Sequence, residues 1–416
     1  MLDVISKKRS YKRSYISTAI AVYVSFLLCG IDLSITSQYK AQLAQAWGQP
    51  GNIAVVLTAN SFVVIGGIIA SFFTGIISDH FGRKSSAIIS SVLWAIFAFG
   101  MLNAPNAGIA YAAGVAGGIA NSFTNAAWTP AMMDAYPKKR SMVTLLTKFF
   151  VSLGQFILPF IIVALAASHV SFAFAFNFLG LCYVIVAVVS IFLPFPEVGG
   201  NQKERANIKK GEAIKAKNTI KITGETIALA LMGFSTTAVF MIWTQTNQEL
   251  GKLYGLSNPA LLQSVYAITS LISVLVTTWM VNKGLRESTV LIIYPAISAI
   301  ALLLAYFIHS GILLYIVSAL IGWFAAGGLM QLAISLLSGL YPSYKATATS
   351  AIGLANGVSN WIVIQIAALI TANFGINAPR DILLFNFVIC LIGVGLAIIV
   401  RVYQNKRAKK GITNLE

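Results

Sequence analysis

The chain has 416 residues, 57% of them hydrophobic and 10% charged, with a mean hydropathy of +0.81. That is far more apolar than the roughly 45–50% of an ordinary soluble domain, which excludes a water-soluble globule and makes a lipid bilayer the expected solvent. A net charge of +17 would suggest nucleic acid if the charges shared one soluble face, but they fall in short runs between apolar segments, so no nucleic-acid partner is expected.

Apolar runs near the 20 residues that a helix needs to cross about 30 Å of hydrocarbon recur along the whole chain. In order they cover 15–38, 52–78, 85–104, 108–135, 142–167, 171–194, 225–248, 259–281, 289–308, 312–340, 346–372 and 381–403. The expected fold is an all-α integral membrane protein with twelve transmembrane helices. The first run follows a basic start and could be read as a cleavable leader, but it is about 24 residues long and carries Asp32, which favours an uncleaved span.

With the N-terminus inside, all but four of the 29 lysines and arginines fall on the inner side. Lys40, Lys252 and Arg380 lie in outer loops, and Lys148 alone sits well inside a span. Cytoplasmic excess of Lys and Arg sets orientation, so both termini are expected to be cytoplasmic in a multi-pass protein of a bacterial-type plasma membrane. The longest charged stretch, "NQKERANIKKGEAIKAKN", divides the chain into a basic N-terminus (1–14), a six-helix bundle (15–194), a cytoplasmic linker (195–224), a second six-helix bundle (225–403) and a tail (404–416). Cys29, Cys182 and Cys390 all fall in spans as small apolar side chains, implying no disulfide framework.

The two halves resemble each other. An offset of 205 lays "DAYPKKR" (134–140) on "GLYPSYK" (339–345) and Gln155 on Asn360; an offset of 203 lays "SDHFGRK" (78–84) on "VNKGLRE" (281–287). Matches at nearly one offset favour two related halves, the plan in which a site near the midplane opens alternately to each side.

Between spans two and three, "GIISDHFGRKS" resembles motif A of the major facilitator superfamily. Gly75, Asp79, Gly82, Arg83 and Lys84 match, Ile77 replaces Leu, and His80 stands where Arg is usual. The resemblance implies two pseudo-symmetric six-helix bundles and secondary active transport by alternating access. It places Asp79 at the N-terminus of span eleven near Ala346 to Ser350, where free N–H groups and the helix dipole favour an anion. It also pairs Arg83 with Asp134, forming an inner gate that holds the cytoplasmic side shut. A charged turn obeying the inner-charge rule is the alternative. Two departures from the family count against a drug/proton antiporter. No arginine occupies span four before "GVAGG", and the span-five antiporter signature is only echoed by Gly154 and Pro159.

Ionisable groups inside spans cost about 2.5–3.5 kcal/mol on insertion scales, so each is a candidate for function. Asp32 lies some 17 residues into span one, about 25 Å along it at 1.5 Å per residue. Proton-coupled sugar porters of the superfamily often carry an aspartate in this span, which makes Asp32 the candidate proton-coupling site; an interfacial aspartate in outer water is the other reading. On a helical wheel Thr144, Lys148, Ser152, Gln155 and Pro159 share one face, and span five borders the cavity in this fold. Lys148 is therefore a solute-site candidate, against snorkelling to the inner interface or an ion pair with Asp134. Asn121, Asn125 and Trp128 in span four, Trp243, Gln245 and Asn247 in span seven, Trp323 and Gln331 in span ten, and Asn356, Asn360, Trp361 and Gln365 in span eleven are further cavity candidates. Amides that donate and accept beside aromatic faces suit a small hydroxylated or carboxylated solute, though Asn and Gln also bond across helix interfaces.

There is no G-x-x-x-x-G-K-[ST] phosphate loop, H-E-x-x-H, G-x-S-x-G or paired-cysteine site. The expectation is a carrier that is not an enzyme and needs no cofactor or metal. Its partners would be a small polar solute, protons and the lipid bilayer, and it would function as a monomer. Efflux of amphipathic drugs by proton antiport is the alternative.

Overall fold

The computed structural model describes residues 15–52, 54–196, 221–374, 377–411 and 415. The expected basic N-terminus (1–14) and most of the 195–224 linker lie outside the described residues. Described residues form helices and no strand. The first half contains α1 (Ile16–Gln38), α2 (Lys40–Ala46), α3 (Ala54–Ser71), α4 (Thr74–Phe81), α5 (Arg83–Asn103), α6 (Ala107–Ala135), α7 (Arg140–Ala167) and α8 (Phe172–Phe192). The second half contains α9 (Gly224–Leu253), α10 (Ala260–Asn282), α11 (Glu287–Phe307), α12 (Gly311–Phe324), α13 (Leu329–Leu340), α14 (Lys345–Phe374) and α15 (Ala378–Lys409).

Ten helical stretches are long and apolar enough to cross a membrane, or eleven with the bent α3–α4 pair. The remaining expected span is α6, whose 29 residues reach about 44 Å. Its Ala- and Gly-rich sequence packs between α3 and α5, so it does not need the lipid-facing hydropathy of its neighbours. Each expected span therefore falls on one helix or one broken pair; the short α2, which seats buried Trp47 under the Met101 carbonyl, was not expected.

Two spans are broken where continuous helices were expected. The α3–α4 pair bends by 50° at Phe72–Phe73 with neither Gly nor Pro at the break. The cause is local: the N–H groups of Phe72 and Phe73 bond three residues back, to Ile69 and Ala70, while the Ser71 hydroxyl bonds the Gly67 carbonyl. Such tightened, hydroxyl-bridged turns unwind a helix. Between α12 and α13 the helix opens at 325–328, where Gly328 takes φ +92°.

Within the first half, α1 packs on α7, α6 on α3 and α5, and α8 on α5; in the second, α9 packs on α14 and α15, α11 on α15, and α10 on α12. One buried core fills the first bundle around Trp94, Phe97 and Tyr183; of the two others, one lies within the second bundle and one also takes in Met133 and Leu145 of the first. The bundles meet where α7 lies on α10 and α13, and where α14 lies on α3, α4 and α6. Large apolar side chains such as Phe192, Ile312 and Phe307 point outward, as hydrocarbon surroundings require.

The α1–α7 crossing sets the cavity wall. Gly30 of α1 faces the Val151 carbonyl, and Gly154 of α7 faces the Leu27 carbonyl, so tightly that a Cβ would stand 2.0 and 2.1 Å from the respective oxygens. Small residues let membrane helices approach to backbone contact. Gly154→Val should therefore force the pair apart and lower stability by about 1–3 kcal/mol. The check is the apparent melting temperature of purified protein by size-exclusion chromatography, with Gly395→Val, which faces open space, left unchanged.

Candidate functional site

At one end of the molecule lie Arg83, Lys84, Lys138 to Arg140, Lys283, Arg286 and Lys345; this is its basic end. Here the α4–α5 turn reaches the second bundle. Gly75 makes the approach possible, since a Cβ there would lie 2.6 Å from the Ala346 carbonyl and from the Thr347 Cα. Asp79 then accepts from the Ala346 N–H (3.1 Å), the Thr347 N–H (2.7 Å) and the Thr347 hydroxyl (2.7 Å), at the N-terminus of α14. Gly82, at φ +97°, turns the chain so that Arg83 folds back: its Nη1 donates to Asp79 (2.7 Å) and its Nε to Asp134 of α6 (3.3 Å). Lys345 at the start of α14 completes the cluster with an ion pair to Asp134. Lys84 is half-buried beside the cluster and His80 faces outward.

The corresponding turn of the second half is built differently. Asn282 and Arg286, aligned with Asp79 and Arg83, are both exposed. Glu287 instead accepts a hydrogen bond from Ser141 at the start of α7, and Ser141 also meets Ser335 of α13 (2.7 Å). The Arg140 guanidinium lies against Gly339. Lys345, Ser141, Glu287 and Ser335 were not singled out from the sequence; the repeat alignment pointed to the right turn but to the wrong residues within it.

Beyond this closed end, a cavity of about 160 Å³ lies between the bundles. From the first bundle it is lined by Asn121, Asn125, Thr147 and Lys148, and from the second by Gln331, Asn356, Thr236 and Thr237. Phe26, Leu33, Phe240, Leu329 and Met330 supply apolar wall. The open turn between α12 and α13 borders it, as irregular backbone at membrane depth must border a cavity or protein. The Lys148 Nζ lies 5.3 Å from the centroid of the Phe240 ring across the bundle interface. Its expected alternative partner, Asp134, is taken by Arg83 and Lys345.

Several predicted cavity residues lie elsewhere. Trp243 is buried and donates to Ser318 (3.3 Å), and Asn247 is buried and bonds Gln263 (2.9 Å), both inside the second bundle. Gln245, Gln155, Trp361 and Gln365 are exposed, and Trp128 is core against Phe195. Asn360 is half-buried off the cavity with its Oδ1 unbonded. Trp243 and Asn247 were expected at the cavity from their residue types in span seven, but they sit one and two turns beyond the cavity-lining Phe240, where α9 has packed on α10 and α12.

Asp32 is 1% exposed, which removes the interfacial reading. Its neighbours Cys29 and Leu33 line the cavity, while Asp32 points into the first bundle toward α8. Neither carboxylate oxygen has a hydrogen-bond partner among the described residues; the Tyr183 hydroxyl adjoins it, also unbonded, on a ring stacked 5.8 Å from Trp94. Among the described residues no group of three His, Cys, Asp or Glu side chains could hold a metal.

Two helical bundles around an interfacial cavity, latched together at one end, define a multi-pass membrane transporter. The comparisons with known proteins agree: the Major Facilitator Superfamily profile matches residues 22–285 and again 226–415. The chain belongs to that superfamily. It is 29% identical to the inner membrane transport protein YdiM of Escherichia coli over 401 residues, 96% of this chain and 97% of YdiM. It is 28% identical to the uncharacterized MFS-type transporter YfkL of Bacillus subtilis, over 92% and 95% of the two chains. Its fold is similar to that of the proton:xylose symporter XylE (TM-score 0.76, 16% identity, 94% and 96% covered) and of the E. coli fucose:proton symporter FucP (0.68, 16%, 94% and 99%).

The Asp79 contacts predict a measurable opening. In a background with the native cysteines replaced by alanine, the buried Ser350→Cys position should label slowly with maleimide in detergent. Adding Asp79→Asn weakens the three bonds from α14 and the pairing with Arg83, and should raise that rate at least about tenfold.

Proposed function

We propose that this chain is a proton-coupled secondary transporter of a small polar solute in a bacterial-type plasma membrane. It works as a monomer by alternating access, with the basic end and both termini cytoplasmic. The observation that carries the reading is the interfacial cavity, lined by polar side chains of both bundles and closed at the basic end. A site shared between two bodies changes its exposure when they rock, and a latch confined to one end favours opening at the other.

In this reading residues 15–194 and 225–403 are the rocking bodies and 195–224 the link between them. Asp79, Arg83 and Asp134, with Lys345, form the inner gate. Lys148, Asn121, Asn125, Gln331 and Asn356 hold the solute. Asp32 is the proton site: a buried carboxyl group without a bonded partner can take up and release a proton without breaking a structural ion pair. XylE and FucP, both proton symporters, and YdiM, an inner membrane transport protein, support coupling and location.

The test uses purified full chain in proteoliposomes and labelled monosaccharides and monocarboxylates. An inward proton gradient, acidic outside, should accelerate entry of at least one solute in the wild type. Asp32→Asn should lose that acceleration while still exchanging internal for external label. Gradient-driven uptake undiminished in Asp32→Asn would remove Asp32 from coupling, and no gradient effect in the wild type would remove the coupling itself.

A further inference from the structure

Resting on the reading of the interfacial cavity as the solute site, we infer that its cargo is a hydroxylated monocarboxylate rather than a neutral sugar. The cavity carries one formal charge. Among its lining residues Lys148 is the one basic side chain, and no Asp or Glu lines it. Among the described residues no carboxylate lies within ion-pair distance of the Lys148 ammonium, and the Phe240 ring face is its cation–π partner. The acidic groups of nearby elements are committed or turned away. Asp134 is paired to Arg83 and Lys345, Asp79 to Arg83 and α14, Glu225 to Arg407, and Asp32 faces α8. A membrane-embedded cation is kept where something anionic visits it, and a single one balances a single negative charge.

The amides around it extend the argument. The Asn121 side-chain Oδ1 accepts from Asn125 Nδ2 (3.3 Å) and from the Cys29 thiol (3.6 Å), leaving the Asn121 NH2, in the same bundle as Lys148, without a partner among the described residues. Two donor groups there suit the two oxygens of a carboxylate. From the second bundle, the Asn356 Oδ1 is buried and unbonded. Asn356 also lines the cavity, and a hydroxyl can meet its amide whichever way the amide is turned, because a hydroxyl both donates and accepts. Between these polar poles, Phe26, Leu33, Phe240 and Met330 offer an apolar wall to the body of the solute. The volume of about 160 Å³ is close to the roughly 150 Å³ of a cavity that takes one benzene ring, the scale of a single ring or short chain. A dianion would leave one charge unbalanced and a cation would meet Lys148 directly.

Equilibrium binding to purified full chain, followed by titration calorimetry without any proton gradient, tests this separately from coupling. The probes are 3-hydroxybenzoate and 3-hydroxybutyrate, the neutral 3-hydroxybenzamide, the dianion isophthalate, and glucose. At least one of the two hydroxy acids should bind about tenfold or more tightly than the amide, the dianion and glucose. That preference over the amide should shrink to within about twofold in Lys148→Met and persist in Lys148→Arg, which keeps the charge. Asn356→Ala should weaken the hydroxy acid more than benzoate, which lacks the hydroxyl. Failure of both hydroxy acids to bind, glucose or the amide binding as tightly, or an acid preference that survives Lys148→Met would each overturn the inference. Because no gradient is present, an acid preference without gradient-driven uptake would defeat the coupling proposal and leave this one standing, and the reverse result would do the opposite.

Discussion

The closed end of this transporter depends on a carboxylate set on a helix terminus. Asp79 of the first bundle receives two backbone N–H groups and a hydroxyl at the start of α14 of the second. These N–H groups have no partner inside their own helix, so a carboxylate there satisfies donors that would otherwise be buried and unbonded, and it does so at the positive end of the helix dipole. The bond is reversible in kind: when the bundles separate, water can replace the carboxylate on the N–H groups. Arg83 and Asp134 work differently. They join α5 to α6 within one bundle, and Lys345 alone carries that ion-pair network across to the other. Charges buried in such a network cost most when one partner leaves, since the rest stay uncompensated. Asp79 thus supplies the docking contact, and the network keeps the α4–α5 turn rigid enough to dock.

The pseudo-symmetric turn closes the other side of the same end by weaker means. Glu287 meets Ser141 rather than free N–H groups, and Ser141 shares its hydroxyl with Ser335. A hydroxyl relay holds less charge in place than an aspartate on a helix terminus. The two halves therefore contribute unequally to closure, although their backbones follow one plan. The inequality could be anticipated in part from the chain, because the position matching Asp79 is Asn282.

Features set by composition and period were legible in the sequence, while those set by height along a helix or by a partner in the other bundle were not. The spans, their order and the motif around Asp79 follow from apolar run lengths and from the one turn with the right spacing of Gly, Asp and Arg. Lys148, Asn121, Asn125 and Asn356 were expected at the cavity and line it. Trp243 and Asn247 were expected there and pack inside the second bundle, because residue type and span membership are silent about height along the helix. The bend at Phe72–Phe73 had no Gly or Pro to announce it; it arises from carbonyls taken three residues back and from the Ser71 hydroxyl. Lys345 looked like an ordinary inner-loop lysine because its partner, Asp134, lies 211 positions away in sequence.

Asp32 and Lys148, both inside the first bundle, occupy separate compartments joined by one rigid contact. Asp32 points toward Tyr183 on α8, whereas Lys148 points into the cavity from α7. Cys29 and Leu33, either side of Asp32 on α1, line the cavity opposite Lys148. Between them α1 and α7 touch backbone to backbone through Gly30 and Gly154. Neither helix can slide along the other there without breaking this backbone-to-backbone contact. A change in charge at Asp32 that altered how α1 sits against α8 would therefore carry α7 with it, and Lys148 with α7. Proton and solute need not meet in one pocket for the occupancy of one to influence the other. It suffices that α1 presents the carboxyl on one face and the cavity wall on the next, and that glycine removes the slack between α1 and the helix bearing the lysine.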